Sequence, residues 1–220
     1  MSRILEISKK VKARFPWLWD GVEFFNGMWI RMLYGRKIRQ AMSGIDCSEK
    51  FVYRKLDVAD LDEIVRFVES QPAGFDRFFK PHSFDRRTYE RLLKSGTYLF
   101  VGVFDGEKMV AYCFMRLYAN KSAFRGYIVD AGYQGKGISK QMGICMTRIA
   151  DSIGFRSYAT ISKDNIPSLQ SQKAGAEVRV IRELPDNYLY VEIKNSSNIV
   201  LGGVNNNPFN MLQEGLAYAA

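Results

Sequence analysis

The sequence predicts a mixed α/β (α+β) fold, in which helices flank a central mixed β-sheet and an added helical segment precedes it. Three observations support this prediction. From Cys47 onward, short apolar runs typical of strands alternate with stretches in which apolar residues recur at helical spacing. Two of these runs flank Asp105-Gly106, a dipeptide that strongly favours a β-hairpin turn. Before Cys47, aromatic residues recur at helical spacing, which indicates a helix outside the sheet.

The elements after residue 46 are predicted in the order β-α-α-β-β-β-α-β-α-β-β. Apolar periodicity and the turn residues at each end define them. Asp57 and Asp60 are candidate N-caps of the first helix. The predicted strands are 51–56, 97–104, 109–117, 123–131, 155–162, 177–181 and 189–193, and the predicted helices are 57–69, 85–93, 137–153 and 166–173.

Composition divides the chain into three segments. Residues 1–45 form a basic, aromatic, helical extension, and residues 46–195 carry the alternating strands and helices. Residues 196–220 form a polar tail rich in Ser, Asn and Gly, with a short closing segment predicted from Phe209. A chain of 220 residues has room for one full domain and such appendages.

Composition and residue inventory exclude several classes of protein. The longest apolar runs, such as Tyr98 to Phe104, fall far short of the roughly 20 residues of a membrane-spanning helix. No secretion signal begins the chain, so we predict a cytoplasmic location, with peripheral attachment to a membrane as an open alternative. Three cysteines without a CxxC pair and the single histidine, His82, favour neither a disulfide framework nor a metal site. We interpret His82 as a solvated loop residue.

The positive charge of the chain is concentrated near its N-terminus. The net charge is +9, and residues 1–45 contain nine Lys and Arg against three acidic residues. One helical stripe of this segment carries Val22, Phe25, Trp29 and Met32. A basic helix with an aromatic stripe suits packing on the protein's own core or on a second subunit, or docking on a membrane surface. Nucleic acid is the least supported partner, because no nucleic-acid-binding signature accompanies the charge.

The segment 129–139, V-D-A-G-Y-Q-G-K-G-I-S, joins a predicted strand to a predicted helix. Its glycines, Gly132, Gly135 and Gly137, allow positive φ angles and a close approach of the backbone to a ligand. The helix start adds unpaired N–H groups and the positive end of the helix dipole. This combination binds phosphate groups, although the spacing matches neither GxxxxGK[ST] nor GxGxxG.

Two motifs resemble the GNAT superfamily of acyl-coenzyme A-dependent N-acyltransferases. The run Gln134-Gly135-Lys136-Gly137-Ile138-Ser139 is similar to the family signature Q/R-x-x-G-x-G/A, with Ser139 in place of the final small residue. Residues 159–168, followed by Lys173-Ala174-Gly175, resemble the family's second element, a strand, an asparagine and a helix that ends in Lys-x-Gly. The resemblance covers about residues 50–194. It implies the GNAT fold and direct transfer of an acetyl group from acetyl-CoA to a primary amine.

The resemblance also implies a binding site for acetyl-CoA, the acyl donor. The backbone amides of residues 134–139 would hold the pyrophosphate, and Ile128 and Val129 would pair with the pantetheine arm. Asn165 would reach the pantetheine or the acceptor, with Ser168 beside it. The implied cofactor-binding residues are Ile128, Val129, Gln134, Gly135, Lys136, Gly137, Ile138, Ser139, Asn165 and Ser168.

The sequence departs from the family pattern in the residues that would move protons. No tyrosine stands midway along the helix after Asn165, which leaves Ser171, water, or a tyrosine such as Tyr158 or Tyr190 as the proton donor. The strand that precedes segment 129–139 has no carboxylate. Asp130 is therefore the candidate base, with a structural role as its alternative. The catalytic candidates are Asn165 and Asp130.

An acceptor pocket is expected between residues 72–87 and residues 116–120. Its candidate lining combines aromatic and cationic side chains, namely Phe75, Arg77, Phe78, Phe79, Arg116 and Tyr118. This mixture suits an amino sugar or a nucleotide-linked amino sugar of surface polysaccharide synthesis; the alternative is that these residues are core and solvated surface. Two further functions stay open, an acyl-CoA-binding protein without turnover and an N-acetyltransferase for protein or peptide amines.

Overall fold

The computed structural model describes residues 16–43 and 50–195, and it confirms the predicted fold class. Its strands are β1 (Val52–Leu56), β2 (Tyr98–Asp105), β3 (Lys108–Tyr118), β4 (Ser122–Val129), β5 (Arg156–Ser162), β6 (Glu177–Leu184) and β7 (Tyr188–Lys194). Its helices are α1 (Pro16–Ser43), α2 (Leu61–Glu69), α3 (Arg86–Lys94), α4 (Ile138–Ile153) and α5 (Ile166–Gly175). Every strand and helix predicted between residues 46 and 195 is present in the predicted order.

The strands form one sheet in the order β1-β2-β3-β4-β5-β7-β6. All neighbouring strands are antiparallel except β4 and β5, which are parallel. These two strands pair only at their beginnings, where residues 122–124 lie beside residues 156–158. Beyond Phe124 and Tyr158 they no longer pair, and a wedge-shaped opening, the β4–β5 gap, separates them.

Local sequence signals explain several element ends. The Asp57 side chain accepts a hydrogen bond from the Ala59 amide, and the Asp60 side chain accepts one from the Asp57 amide, which completes a capping box. The helix predicted over 57–69 is accordingly a short 3-10 turn, Val58–Asp60, followed by α2. Strand β6 continues past its predicted end at residue 181 to Leu184, and its pairing with β7 contains a register shift between Val180 and Arg182.

Two main layers of core side chains cover the faces of the sheet. Helices α1 and α4 contribute to the first layer, in which Ile30, Val103 and Met146 are fully buried. Helices α2 and α3 contribute to the second, which is rich in aromatic rings. Within it, the hydroxyls of Tyr89 and Tyr112 lie 2.7 Å apart and satisfy each other.

His82 belongs to the aromatic layer, so its interpretation as a solvated loop residue is wrong. Its ring lies 5.0 Å from the ring of Tyr89 and 5.9 Å from that of Phe114, measured between centroids. Its Nε2 atom is buried without a hydrogen-bond partner among the described residues. Burial lowers the pKa of His82, so the imidazole is neutral at pH 7.

Helix α1 packs on the first layer through one stripe. Ile30 is fully buried, and the Tyr34 ring meets the edge of Phe155 with their centroids 4.9 Å apart. Gly27 lies against the loop after α3, where a Cβ atom would come within 2.0 Å of the Ser95 carbonyl oxygen. Only glycine therefore allows this close approach.

The aromatic stripe predicted for the N-terminal segment faces away from the core. Phe25, Trp29 and Met32 are 64%, 50% and 68% exposed, and the side chain of Val22 is outside the described residues. Packing of this stripe on the protein's own core, one of the alternatives, is therefore excluded for these three side chains. The helix residues that do pack lie on its opposite side.

No helix within residues 16–43 or 50–195 has both the length and the apolar character needed to cross a membrane. The predicted closing segment near Phe209 and the cysteine Cys47 are outside the described residues. The segment boundaries near residues 45 and 195 stay predictions.

Candidate active site

The glycine-rich segment 129–139 turns sharply between β4 and α4. The Asp130 side chain accepts a hydrogen bond of 2.8 Å from the Gly132 amide and so caps a short 3-10 turn. Gly135 and Gly137 follow, with φ angles of +76° and +80°. A Cβ atom at either glycine would meet nothing within 4 Å. Backbone conformation, rather than lack of space, is therefore what requires glycine at both positions.

The beginning of α4 presents backbone donors. Gly137 is the N-cap residue and offers no side chain to the amides of the first turn. The side chain of Ile138 is buried in the core and anchors this turn. The uncapped amides and the helix dipole together form a site suited to an anion.

Side chains around Tyr133 brace this segment. The Tyr133 hydroxyl donates to Asp105, and the ammonium of Lys136 lies 4.0 Å from the centroid of the Tyr133 ring. The Lys108 ammonium lies 3.5 Å from an oxygen of Asp130. Both carboxylate oxygens of Asp130 thus have partners at the surface of the turn. Such contacts are expected if Asp130 has a structural role rather than that of a base.

The β4–β5 gap lies between this segment and α5. Asn165 is the N-cap of α5, and its side-chain oxygen accepts a hydrogen bond of 3.2 Å from the Ser168 amide. On the other side of the gap, residues 125–129 of β4 lack a strand partner on the side of β5. Backbone polar groups left unpaired in this way require a partner.

A pair of hydroxyl groups connects β4 to α5. The Tyr127 hydroxyl lies 2.5 Å from Ser171 Oγ, and Ser171 Oγ donates to the Ser168 carbonyl oxygen at 3.0 Å. Either hydroxyl of the pair can be the donor. When Ser171 turns its one proton toward Tyr127, the proton of the Tyr127 hydroxyl is free for another acceptor. The sequence analysis considered Ser171 as one possible proton donor and did not consider Tyr127, which contacts it from β4.

Arg125 ties β4 to both neighbouring helices. It is fully buried, and its guanidinium donates to Gly143 O and Thr147 Oγ1 on α4 and to Gln172 Oε1 on α5. Its Nε has no partner among the described residues. Burial lowers the pKa of Arg125 to about 10, so the side chain is still charged at neutral pH.

An aromatic cavity of about 510 Å³ opens on the other face of the sheet. Within it, the Arg116 guanidinium lies 5.6 Å from the ring centroid of Tyr98 and 5.1 Å from that of Tyr118. Burial raises the pKa of Tyr190, on β7, to about 12. The cavity is lined by Phe78, Phe79, Lys80, Pro81, Tyr98, Phe114, Arg116, Tyr118, Phe124, Arg125, Gly126, Thr160, Leu184, Pro185, Asp186, Tyr188 and Tyr190.

Four of the six residues predicted to line an acceptor pocket line this cavity, namely Phe78, Phe79, Arg116 and Tyr118. The other two do not. The Phe75 ring instead packs against Phe84, and the Arg77 guanidinium lies over the Phe78 ring. The contribution of the β6–β7 hairpin was missed, because this hairpin is distant in sequence from the predicted pocket.

Strand β4 lies between the aromatic cavity and helices α4 and α5. Phe124 and Gly126 border the cavity, whereas Tyr127 reaches α5, as the alternation of a strand requires. A Cβ atom on Gly126 would lie 2.8 Å from the Phe114 ring and 2.9 Å from the Phe79 ring. Glycine here lets the Phe79 and Phe114 rings pack directly against the backbone of β4.

Tyr158 and Tyr190, the other proposed proton donors, stack on each other with ring centroids 5.4 Å apart. Tyr190 borders the cavity, so this pair lies away from the Tyr127–Ser171 contact. Among the described residues, no cluster of three or more His, Cys, Asp or Glu side chains is placed to hold a metal ion.

The fold and these features define an N-acetyltransferase. The chain belongs to the acetyltransferase (GNAT) family, whose sequence profile matches residues 62–174. No curated relative matches the chain in sequence.

Solved structures with the same fold are distant in sequence. Ribosomal-protein-S5-alanine acetyltransferase from Vibrio fischeri is 15% identical with a TM-score of 0.58, over 69% of this chain and 96% of that chain. The GNAT domain of S. lividans PAT is 17% identical with a TM-score of 0.55, over 64% and 88%. The paia N-acetyltransferase from Thermoplasma acidophilum, in complex with coenzyme A, is 15% identical with a TM-score of 0.54, over 66% and 99%. These similarities show the shared fold.

Proposed function

We propose that this protein transfers an acetyl group from acetyl-CoA to the primary amine of an amino sugar, in particular a nucleotide-linked amino sugar. The aromatic cavity, with Arg116 between two tyrosine rings, is the observation that carries the choice of acceptor. Aromatic faces stack on bases and on the apolar faces of sugars, and a guanidinium binds phosphate oxygens. The volume is in the range of cavities that take small molecules.

The donor site has two parts. The glycine-rich segment 129–139 offers the uncapped first-turn amides of α4 to the pyrophosphate, with Lys136 close by. The unpaired edge of β4, through Ile128 and Val129, offers backbone partners to the amides of the pantetheine arm. Asn165 and Ser168 lie at the start of α5, directly after β5, and would complete the donor site there. These residues therefore fit acetyl-CoA, and the related structure from Thermoplasma acidophilum contains coenzyme A.

The chemistry is a direct transfer. The acceptor's neutral amine, entering from the cavity, attacks the thioester carbonyl; the C–N bond forms, the C–S bond breaks and the amine proton passes to water. A backbone N–H at the unpaired edge of β4 stabilises the charge that develops on the carbonyl oxygen. The departing sulfur takes a proton from the Tyr127 hydroxyl, which recovers it from water. Asp130, with both oxygens engaged, orders the turn.

Replacing Tyr127 by phenylalanine is expected to lower kcat about tenfold while leaving coenzyme A binding unchanged. A tenfold effect on kcat is smaller than the usual contribution of general acid catalysis, because a thiol is a good leaving group that needs little help. Steady-state kinetics would measure kcat, and isothermal titration would measure the affinity for coenzyme A.

The matched control is Tyr34→Phe, which removes a hydroxyl from a half-buried tyrosine on α1. It should leave kcat unchanged. Equal kcat values for Tyr127→Phe and the unmodified protein would contradict the role of Tyr127 as proton donor, whereas a weaker coenzyme A affinity would indicate a binding role instead.

The acceptor class is tested with a panel of amines and the variant Arg116→Ala. We expect turnover of a nucleotide-linked amino sugar, with KM raised about tenfold in Arg116→Ala because a charge-assisted hydrogen bond to phosphate is lost. The KM of an uncharged amino sugar should change much less. Arg179→Ala removes an exposed arginine of β6 and is the control expected to change neither KM.

Two other outcomes identify the alternatives. Turnover of peptide amines but of no amino sugar would support a protein N-acetyltransferase, the kind of enzyme that the Vibrio fischeri relative is named for. Coenzyme A binding without turnover of any amine in the panel would support an acyl-CoA-binding protein.

A further inference from the structure

Helix α1 carries a large apolar surface on the side opposite the core. Six side chains of this surface, the exposed apolar face, are 46–68% exposed, namely Phe24, Phe25, Met28, Trp29, Met32 and Leu33. They lie on the helix opposite the packing stripe of Gly27, Ile30 and Tyr34. Single exposed apolar residues are ordinary, but a contiguous group of this size marks an interaction surface.

Cations border the exposed apolar face. Arg36, Lys37 and Arg39 are exposed on the following turns of α1, and no acidic residue follows Glu23 in this helix. Next to the face, side chains of α3 line a shared groove with Phe24, Met28 and Met32 of α1. The α3 side chains are Arg87, Thr88, Glu90, Arg91 and Lys94.

The groove itself is mainly basic. Among the described side chains that line it, Glu90 is the one carboxylate, and it pairs with Lys94 within α3. Arg31 of α1 donates to the Lys94 carbonyl oxygen and holds the two helices together. Arg87 and Arg91 therefore add to the positive charge of this side of the molecule.

We propose that the exposed apolar face docks the protein on an anionic lipid bilayer, with α1 lying in the plane of the interface. Tryptophan, phenylalanine and methionine side chains would enter the boundary between headgroups and acyl chains, while the arginines and lysines pair with lipid phosphates. The chain before α1 supports this partner, because residues 1–15 contain five Lys and Arg against one acidic residue.

Charge also favours a bilayer over a second copy of the protein. In a two-fold dimer the same surface meets itself, which would bring the cations of both copies together around the apolar contact. A bilayer with anionic lipids neutralises the same cations. This proposal is independent of the acetyl acceptor.

The test is co-sedimentation of the full-length protein with vesicles of phosphatidylcholine alone or with added phosphatidylserine. We expect binding to the anionic vesicles that weakens as salt rises, and little binding to the neutral ones. The double variant Phe25→Glu/Trp29→Glu should weaken binding about tenfold or more, because it places two charges in the apolar contact.

Both substituted side chains are exposed, so the fold should tolerate the change. The melting temperature and coenzyme A binding of the double variant should therefore equal those of the unmodified protein. The control Val180→Glu introduces a charge on β6 at a side chain that is 51% exposed, close to the 50% of Trp29, and should leave vesicle binding unchanged. Equal sedimentation of the double variant and the unmodified protein would overturn the proposal. The proposal would also be overturned if light scattering showed a dimer of the unmodified protein but not of the double variant, while anionic vesicles bound neither protein.

Discussion

Replacing Gly135 and Gly137 together by valine is expected to abolish measurable binding of coenzyme A and to lower kcat/KM by about a thousandfold or more. Both residues have positive φ angles, a conformation that costs a non-glycine residue roughly 1–2 kcal/mol and a β-branched residue more. The backbone would relax to negative φ. The uncapped amides at the start of α4 would then point away from the pyrophosphate, and their contribution would be lost.

Thermal unfolding with and without coenzyme A measures this effect. At about a hundred times the dissociation constant, ligand binding stabilises the folded protein by about 2.7 kcal/mol. For a chain of this length, that raises the melting temperature by about 5–10 °C. The double variant should show no such shift.

Gly154→Val is the matched control for the glycine variants. Gly154 ends α4 with a φ of +73° and, like the two loop glycines, has open space where a Cβ would be. Valine at this position should introduce similar backbone strain at the far end of the same helix. Coenzyme A should still raise the melting temperature of this variant. A full shift in the Gly135/Gly137 double variant would show that the donor binds elsewhere.

Arg125→Ala is expected to destabilise the protein by about 3–5 kcal/mol, because it opens a cavity and leaves buried acceptors without donors. The guanidinium bonds to Gly143, Thr147 and Gln172 hold α4 and α5 against β4. A loss of about 3–5 kcal/mol lowers the melting temperature by about 6–20 °C. Chemical denaturation at pH 7 measures the free energy of unfolding directly.

Two further variants separate the causes of this loss. Arg179→Ala removes an arginine that is exposed on β6 and should change the free energy of unfolding by less than about 0.5 kcal/mol. Arg125→Met/Gln172→Leu fills the space and removes the orphaned acceptor, so it should recover part of the stability. A loss in Arg125→Ala no larger than that of Arg179→Ala would contradict the proposed bracing of the helices.

Most of the fold was predictable because its signals are local. The Asp105-Gly106 turn, the Asp57 cap and the helical spacing of α4 each depend on residues a few positions apart. The length of β6 was not predictable in the same way, since its register shift depends on pairing with β7. The direction of the aromatic stripe of α1 was also undetermined, because that helix is apolar on both sides.

The conformation of segment 129–139 was predictable from the sequence, whereas the lining of the aromatic cavity was predictable only in part. Segment 129–139 is continuous in sequence, and its glycines specify its conformation. The aromatic cavity draws side chains from several strands and from the β6–β7 hairpin, which sequence spacing does not bring together. His82 was assigned to solvent because its neighbours in sequence are typical of a loop, whereas its neighbours in space are aromatic rings.

The sequence by itself determined the order of strands and helices, the glycine-rich turn and the family to which this acetyltransferase belongs, because turns, caps and periodicity are properties of adjacent residues. Only the tertiary structure decided that β4 and β5 separate after three residue pairs, that Tyr127 meets Ser171, and that Arg125 is buried. Each of these features depends on residues that lie more than ten positions apart in the sequence. Their geometry depends on how helices pack on the sheet, and the same packing leaves the apolar face of α1 exposed.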